Sequence, residues 1–527
     1  MLQTIKNNKK LVSLYILAGI FFFVYSFLAF SAFDKPVKLN SPDEVANYFF
    51  AKRFAETGQI SFFEPQNLLA GDVIHPRAME SINGKVVPTS FLGMILLYGF
   101  LAKIFGVWII LFLTPLLAAI GVLFFYGLIK KIFDEPIAYF SSLLLFFLPP
   151  LWYFSAKSMY HNVGFLVFLI ISLYLLSNRC KNYFLKFLGS GIFLGLALSF
   201  RISEFLWVLS GYFILFLYYK KEIKIKYFIF FILGCFLALA PTFYYNNVLY
   251  GSYFSTGYTA GTEIASIEAG NDFSLIEYVT SIFGFHPRLS LSNFFNYVFK
   301  LFWFFTVPAL VGFFFLFKKK FNNQLARRQK AYFSIYTLTS LWLIIFYGSY
   351  SIQDNISYSE ITIGNSYVRY WLSIYIFALP LMVLFFKKIF STKVGKIIAL
   401  FLSTIYILFS INIVMFCGEE SILNVKKNIL QYKEFSKEIL QKTEVNSVII
   451  SKYEDKILFP ERKVINFKYQ NYEIFDNIAK IIDSTPVYYY NKLIGPKDIE
   501  YIKDRKIKEY GLKLESVGSG LYKVIKK

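Results

Sequence analysis

The sequence predicts an α-helical membrane protein that crosses the bilayer about eleven times and ends in a small α/β domain. Three observations predict it. The 527 residues are 56% hydrophobic and include 64 Phe and 40 Tyr, more apolar surface than a soluble fold needs for its core. Apolar stretches of about 17–25 residues recur, with short basic clusters between them. From about residue 418 the chain turns charged, mixed in sign and free of long apolar runs.

The net charge of +22 is broken into clusters at the ends of apolar runs: Lys9/Lys10, Lys130/Lys131, Lys220/Lys221, Lys318 to Lys320 and Lys387/Lys388. Such clusters mark cytoplasmic ends of spans. Charge divided in this way is no nucleic-acid surface; its partner is the anionic membrane lipid. Cys180, Cys235 and Cys417 fall in different compartments of this topology and form no CxxC, so no disulfide, redox motif or thiolate zinc site is expected.

Taken in order, Leu11 to Phe33 is too long for a signal-peptide core and reads as an uncleaved first span, leaving from Lys6, Lys9 and Lys10 in the cytoplasm. A long external loop follows, 34–108. Its apolar end, "PTSFLGMILLYGFLAKIFG" (88–106), is short and holds Lys103, so it is expected at the outer interface rather than as a span. Counting it as a crossing would invert every later loop. The remaining spans are expected at about 109–129, 137–154, 163–177, 185–200, 205–219, 227–243, 298–317, 331–348, 371–386 and 396–416. The transmembrane domain is thus 1–417, in a prokaryotic plasma membrane. Its N-terminus is inside, and the 418–527 domain is external. In that domain "NSVII", "KVINF", "PVYYY" and "LYKVI" read as strands. "SILNVKKNILQYKEFSKEILQK" and "GPKDIEYIKDRKIKEYG" read as helices.

The first loop opens with "NSPDEVANYFFAKRFAETG". Ser41 is placed as an N-cap, Pro42 as the first helical residue and Glu44 as the third, the signature of a capping box. Gly58 is placed just past the helix end. The box occupies Ser41 and Glu44 and leaves Asp43 for other work. All three histidines (His75, His161, His286) fall in external loops, with Asp43, Glu44, Asp72, Arg77, Glu80, Lys85, Arg201, Glu204, Arg288 and Arg369. The cytoplasmic loops are short and poor in acids. Convergent titratable groups are therefore available only outside.

Three stretches carry a resemblance. "SPDEVANYFFAKRFAETGQI" resembles the first external loop of the C-type (GT-C) membrane glycosyltransferases, with its Asp-Glu pair after span one. "PTFYYNNVLYGSYFSTGY" and "GNSYVRYWLSIYIFALP" are similar to later stretches of the same superfamily. The pattern looks most like the protein O-mannosyltransferase and aminoarabinose-transferase group. The resemblance implies transfer of a sugar from a dolichyl- or undecaprenyl-phosphate donor to an acceptor at the outer leaflet, be it protein, lipid or glycan. No nucleotide sugar is needed, in line with the absence of a Gly-rich phosphate loop.

The chemistry can be stated without the family. An acceptor hydroxyl must lose a proton as it attacks the anomeric carbon, and Asp43 is the candidate base, with Glu44 as second catalytic carboxylate. A departing lipid phosphate needs a cation, and Arg369 is the candidate, with Tyr370 as interfacial neighbour. His286 and Arg288 in "GFHPRLS", with Lys85, His75 and Arg77 in the first loop, are further candidates for binding the donor phosphate. Tyr258 and Asn246 line the cleft or serve the fold. His161 in "MYHN" stands where relatives show an acid, and reads as surface polarity, with cleft lining as the alternative. Arg201 and Glu204 read as a local ion pair. No cofactor is indicated besides the lipid-linked sugar; a divalent Mg or Mn ion bridging Asp43, Glu44 and phosphate stays open. Asp-any-Asp in the second external loop and Trp-Trp-Asp in the tail are absent, which argues against an oligosaccharyltransferase-type member. A lipid or glycan flippase should place ionisable residues mid-membrane, and these spans are nearly free of them. A non-catalytic glycan-assembly protein is the other alternative.

Overall fold

The computed structural model describes residues 9–32, 36–178, 182–221, 225–259, 284–322, 325–352, 360–467, 471–491 and 496–527. Cys180 lies outside them. Among the described residues eight helices are long and apolar enough to cross a bilayer unbroken. They are Lys9–Ala32, Val107–Ile132, Tyr183–Phe200, Ile202–Tyr219, Tyr227–Tyr250, Arg327–Gly348, Leu372–Ile389 and Lys393–Met415. Two bent pairs pass the same test of length and composition taken together, as broken spans or re-entrant loops: Glu135–Phe146 with Pro149–Lys157, bent by 48°, and Pro287–Lys300 with Trp303–Lys320, bent by 105°. His161–Ser177 has 17 residues, about 25 Å at 1.5 Å per residue, the short end of a spanning length. Each of the eleven apolar runs expected to span falls on one of these helices or pairs. Leu92–Phe105 has 14 residues, about 21 Å against a hydrocarbon layer of about 30 Å, too short for a full crossing.

The chain forms two compact units. The helical unit comprises Met1–Phe30, Leu111–Tyr244 and Glu263–Asn424. Within it the break at Phe147 and Leu148 has a local cause. Phe146 would offer its carbonyl to the N–H of residue 150, which is Pro150 and has none. In lipid such a group has to find a partner in the protein. Tyr25, fully buried, donates its hydroxyl to the Phe146 carbonyl at 2.8 Å. Tyr406 donates to the Leu144 carbonyl at 3.0 Å. Elsewhere glycines let backbones touch. A Cβ on Gly195 would lie 2.4 Å from the Cys235 carbonyl oxygen, and one on Gly234 would lie 2.3 Å from that of Leu188. This is the small-residue packing of membrane helices, which lack a hydrophobic drive toward one another.

The mixed unit comprises Ser31–Ile110, Tyr245–Thr262 and Val425–Lys527. The contacts thus group the chain differently from a cut at residue 417: most of the first loop folds with the tail. The loop forms a small antiparallel sheet from β1 (Phe62–Phe63), β2 (Met79–Ile82) and β3 (Lys85–Pro88), in the order β1-β3-β2. The tail forms a five-stranded sheet from β4 (Val448–Ser451), β5 (Lys463–Asn466), β6 (Val487–Tyr490), β7 (Leu512–Gly518) and β8 (Leu521–Lys526). Its order is β5-β4-β6-β8-β7, with β4 parallel to β5 and β6, and β8 antiparallel to β6 and β7. Four of these strands are the expected ones; β7 and the Ile474–Ile481 helix are additional. One core serves loop and tail: Ala70 and Ile74 pack with Ile450, Ile465, Phe475 and Val487.

Polar ties reinforce that core. Arg77 makes a two-pronged contact with Asp455, Nε to Oδ1 at 3.0 Å and Nη2 to Oδ1 at 2.6 Å, while its backbone N–H donates to Oδ2 at 2.7 Å. Lys463 pairs with Glu64 at 2.9 Å. Lys38, 1% exposed, pairs with Glu461 at 2.6 Å. Burial pushes the Lys38 ammonium below its usual range, and Glu461 pulls it partly back.

Two outcomes follow from this packing. Tyr25→Phe should insert normally but lower the thermal unfolding midpoint in detergent, the loss of a buried carbonyl's partner costing about 1–3 kcal/mol. Arg77→Ala strands the fully buried Asp455 and should cost about 3–5 kcal/mol. It should make the loop and the tail susceptible to limited proteolysis together, whereas cleavage confined to one of them would show that they fold separately.

Candidate active site

The helix that carries Asp43 runs from Pro42 to Thr57 and is fixed at both ends as its sequence dictates. The Glu44 backbone N–H donates to Ser41 Oγ at 3.2 Å, and the Ser41 N–H donates to Glu44 Oε2 at 3.0 Å. Gly58 closes the helix at φ +73°, its N–H bonded to the Phe54 carbonyl. Glu44 is buried, with one oxygen committed to this box. Asp43, half-buried at the second helical position, takes no part in the box. The helix seats on Leu92–Phe105. A Cβ on Gly99 would lie 2.7 Å from the Ala51 carbonyl oxygen, and Ser90 Oγ donates to Asn47 Oδ1 at 2.9 Å.

In the helical unit Arg369 lies on the Ser366–Tyr370 helix, whose N-cap is Asn365. Its Nε and Nη2 both donate to Ser366 Oγ, at 3.1 and 2.8 Å. Its guanidinium carbon stands 4.7 Å from the Tyr160 ring centre and 5.2 Å from that of Tyr370. Asn162 Nδ2 donates to the Arg369 carbonyl at 3.0 Å. Tyr370 in turn stacks on Tyr347, with ring centres 4.4 Å apart.

Arg201 and Glu204 do form the expected pair, at 2.7 Å, and they sit inside a larger network. Arg201 Nη2 donates to the Tyr347 hydroxyl at 3.0 Å, and that hydroxyl donates to Glu204 Oε1 at 2.5 Å. Trp207 Nε1 donates to Glu204 Oε2 at 2.5 Å. The Arg201 guanidinium also covers the Tyr370 ring at 4.9 Å.

The other candidates scatter. His161 is not surface polarity: it is 6% exposed, the first residue of its helix, edge-on to Phe200. Arg77 is committed to Asp455, as described above. Lys85 donates to the Val248 carbonyl at 3.3 Å, and His75 Nδ1 lies 3.0 Å from the Pro76 carbonyl oxygen. His286 and Arg288 are exposed at the start of the Pro287–Phe294 helix. Asn246 is buried and donates to the Tyr253 carbonyl at 3.3 Å, while the half-exposed Tyr258 packs on Phe91. Sequence reasoning passed over Lys157. It is 3% exposed, its Nζ donates to the Tyr160 hydroxyl at 3.2 Å, and it stands over the Tyr153 and Tyr160 rings. The signal that could have found it is the one that found Arg369: a cation at a span end that the loop charges assign to the outside, where cations are disfavoured.

The helical unit also holds a cavity of about 1640 Å³, lined mainly by apolar residues such as Leu194, Leu198, Val208, Ile335 and Phe377, with Lys131, Lys186, Lys220, Arg327 and Arg328 also in its lining. Trp207, the residue bonded to Glu204, lines it as well. Among the described residues no group of three or more His, Cys, Asp or Glu side chains could hold a metal ion. With one Glu44 oxygen spent on its own helix, the Asp43–Glu44 pair is a poor cage, and no step below runs through a metal.

Residues 92–245 match the family profile described as dolichyl-phosphate-mannose-protein mannosyltransferase. A comparison with curated proteins finds no match. Among solved structures the chain is similar to the apo oligosaccharyltransferase of Archaeoglobus fulgidus. That match has a TM-score of 0.54 at 11% identity and covers 99% of this chain and 75% of that one. The same organism's AglB, in complex with an inhibitory peptide and a dolichol-phosphate, gives a TM-score of 0.55 at 10% identity, covering 98% and 74%. Apo ArnT from Cupriavidus metallidurans gives 0.53 at 10% identity, covering 97% of both chains. At such identities the structures carry the fold, and the family profile carries the relation in sequence. The chain thus shares the fold of these solved structures, carries apolar helices long enough to cross a membrane, and matches the mannosyltransferase profile over residues 92–245.

Proposed function

We propose that this enzyme moves a sugar from a polyprenyl-phosphate donor to a hydroxyl or amine of an acceptor on the outer face of the membrane. The observation that carries the reading is the neighbourhood of the apolar cavity in the helical unit. Trp207 on its wall is linked through Glu204, Arg201 and Tyr370 to Arg369. An isoprenoid chain needs an apolar bed, and its phosphate needs a cation a few residues away; one unit supplies both. That a solved protein of this fold holds a dolichol-phosphate supports the same class of ligand.

In this reading Arg369 binds the donor phosphate. Ser366 fixes one edge of its guanidinium, and two tyrosine rings fix its plane. Asp43 takes the acceptor's proton. The capping box sets the turn on which it stands, so its backbone position costs nothing to reorganise during the reaction. The acceptor, whether protein, lipid or glycan, is outside what these residues specify.

The deciding measurement is transfer of labelled sugar from polyprenyl-phosphate donors by membranes containing the enzyme. Asp43→Asn should insert normally and lose about 10²–10⁴ of the rate. Equal transfer by wild type and Asp43→Asn would remove Asp43 as the base; transfer from no polyprenyl donor would remove the donor class. Arg369→Lys keeps the charge but not the planar fork, and should lose about 10²-fold or more.

A further inference from the structure

Three helices of the helical unit bring cations to one end of the cavity. Lys131 stands in the last turn of Ile110–Ile132, Lys220 follows Phe205–Tyr219, and Arg328 stands in the first turn of Arg327–Gly348. Contacts between these ends hold them together. Arg328 Nη1 donates to the Lys131 carbonyl at 2.8 Å, and the Arg327 guanidinium carbon stands 4.5 Å from the Tyr219 ring centre. Lys131, Lys220 and Arg328 all line the cavity, and among the described residues no carboxylate does. The acids next to Lys131 in the chain are engaged elsewhere, Asp134 with Lys387 and Glu135 with Lys130. Among the described residues none forms an ion pair with Lys131, Lys220 or Arg328.

The wall beyond these cations is apolar. Leu209, Phe213 and Phe216 on one helix, with Phe228, Ile232 and Phe236 on the next, line the cavity with exposed side chains. Such a wall gives water no partners, and within a bilayer a lipid chain covers it. Lipid tails are as apolar as Leu, so the wall by itself does not choose among lipids. The cations do. A choline headgroup brings its own positive charge to the phosphate, whereas an acidic headgroup leaves the phosphate charge for the protein, and basic pockets between membrane helices fit such headgroups. We propose that an acidic phospholipid seats an acyl chain in the cavity and sets its phosphate among Lys131, Lys220 and Arg328. The charge rule puts this end in the cytoplasmic leaflet. The site is not the donor's phosphate site. Trp207, which links the cavity to Arg369, lies near the start of the helix that Lys220 follows; at 1.5 Å per residue the two are about 20 Å apart.

The test uses the full-length protein in nanodiscs of phosphatidylcholine with a minor share of phosphatidylglycerol, the acyl chains being the same and no sugar donor present. Lipids that stay bound on detergent extraction are counted by native mass spectrometry. Phosphatidylglycerol should be retained over phosphatidylcholine by about 100-fold relative to its share, near fivefold for each of the three cations. Lys131→Gln, Lys220→Gln and Arg328→Gln should each remove about fivefold of this preference, and the triple variant nearly all of it. Lys319→Gln, in the last turn of Trp303–Phe321 and outside the lining, should change nothing. Leu209→Trp narrows the apolar wall and should lower retention of both lipids, and inorganic phosphate should displace neither. Equal retention of the two lipids by the wild type overturns the inference without any variant having to fold. A Lys319→Gln protein that loses as much preference as the triple variant overturns it too, since the attraction is then that of the whole surface. Undiminished retention by Leu209→Trp, or displacement by inorganic phosphate, removes the acyl chain from the site and overturns it as well. With no donor present, none of these outcomes bears on the donor reading, which the transfer assay with Asp43→Asn decides separately.

Discussion

A charge placed among apolar helices has to be compensated where it stands, and the Arg201–Glu204 pair is compensated by several elements at once. Both residues are buried, 7% and 3% exposed. The desolvation of such a pair can exceed its Coulomb gain unless further hydrogen bonds satisfy it. Here Tyr347 comes from Arg327–Gly348, Trp207 from Phe205–Tyr219 and Tyr370 from Ser366–Tyr370. The pair therefore gathers these helices at one point. Tyr370, in contact with both the Arg201 guanidinium and the Tyr347 ring, is the residue next to Arg369. The position of the proposed phosphate cation depends on a neutral pair that never needs to touch substrate.

The mixed unit solves a different problem with similar means. The proposed base Asp43 needs its turn fixed, and the described residues 36–41 before it form no helix or strand. Its polar ties come from the tail. Lys456 Nζ donates to the Asn40 carbonyl at 2.6 Å, and Glu461 holds Lys38. Behind the turn the Leu92–Phe105 helix closes on the backbone at Gly99. The tail thus contributes to the placing of Asp43 through its fold, whatever it does with an acceptor.

How much of this was legible follows from the range of each interaction. The capping box, Gly58 and the spans depend on residues within a few positions, and the sequence shows them. The short strands of the first loop carry too few residues for a period to register. The shared core of loop and tail joins Ile74 to Ile450, and nothing local signals it. Arg77 is instructive: a bidentate site for a carboxylate and one for a phosphate ask for the same guanidinium, so residue type alone does not name the partner. Lys157 was hidden by the opposite bias, since a lysine at a helix end reads as a solvated anchor until its burial is known.

The contrast between Arg201 and the two cations on Tyr160 completes the picture. Glu204 cancels the charge of Arg201 and makes it structural. A ring works otherwise: its quadrupole lowers the cost of holding a cation by about 0.5–2 kcal/mol without supplying a countercharge. The ring contacts described for Arg369 and Lys157 stabilise these side chains without themselves supplying a countercharge. A chain rich in tyrosine can hold cations at the edge of an apolar bundle through such contacts. The abundance of Tyr, read first as apolar surface beyond the needs of a soluble core, is then also a source of ring contacts for the cation proposed to meet a lipid phosphate.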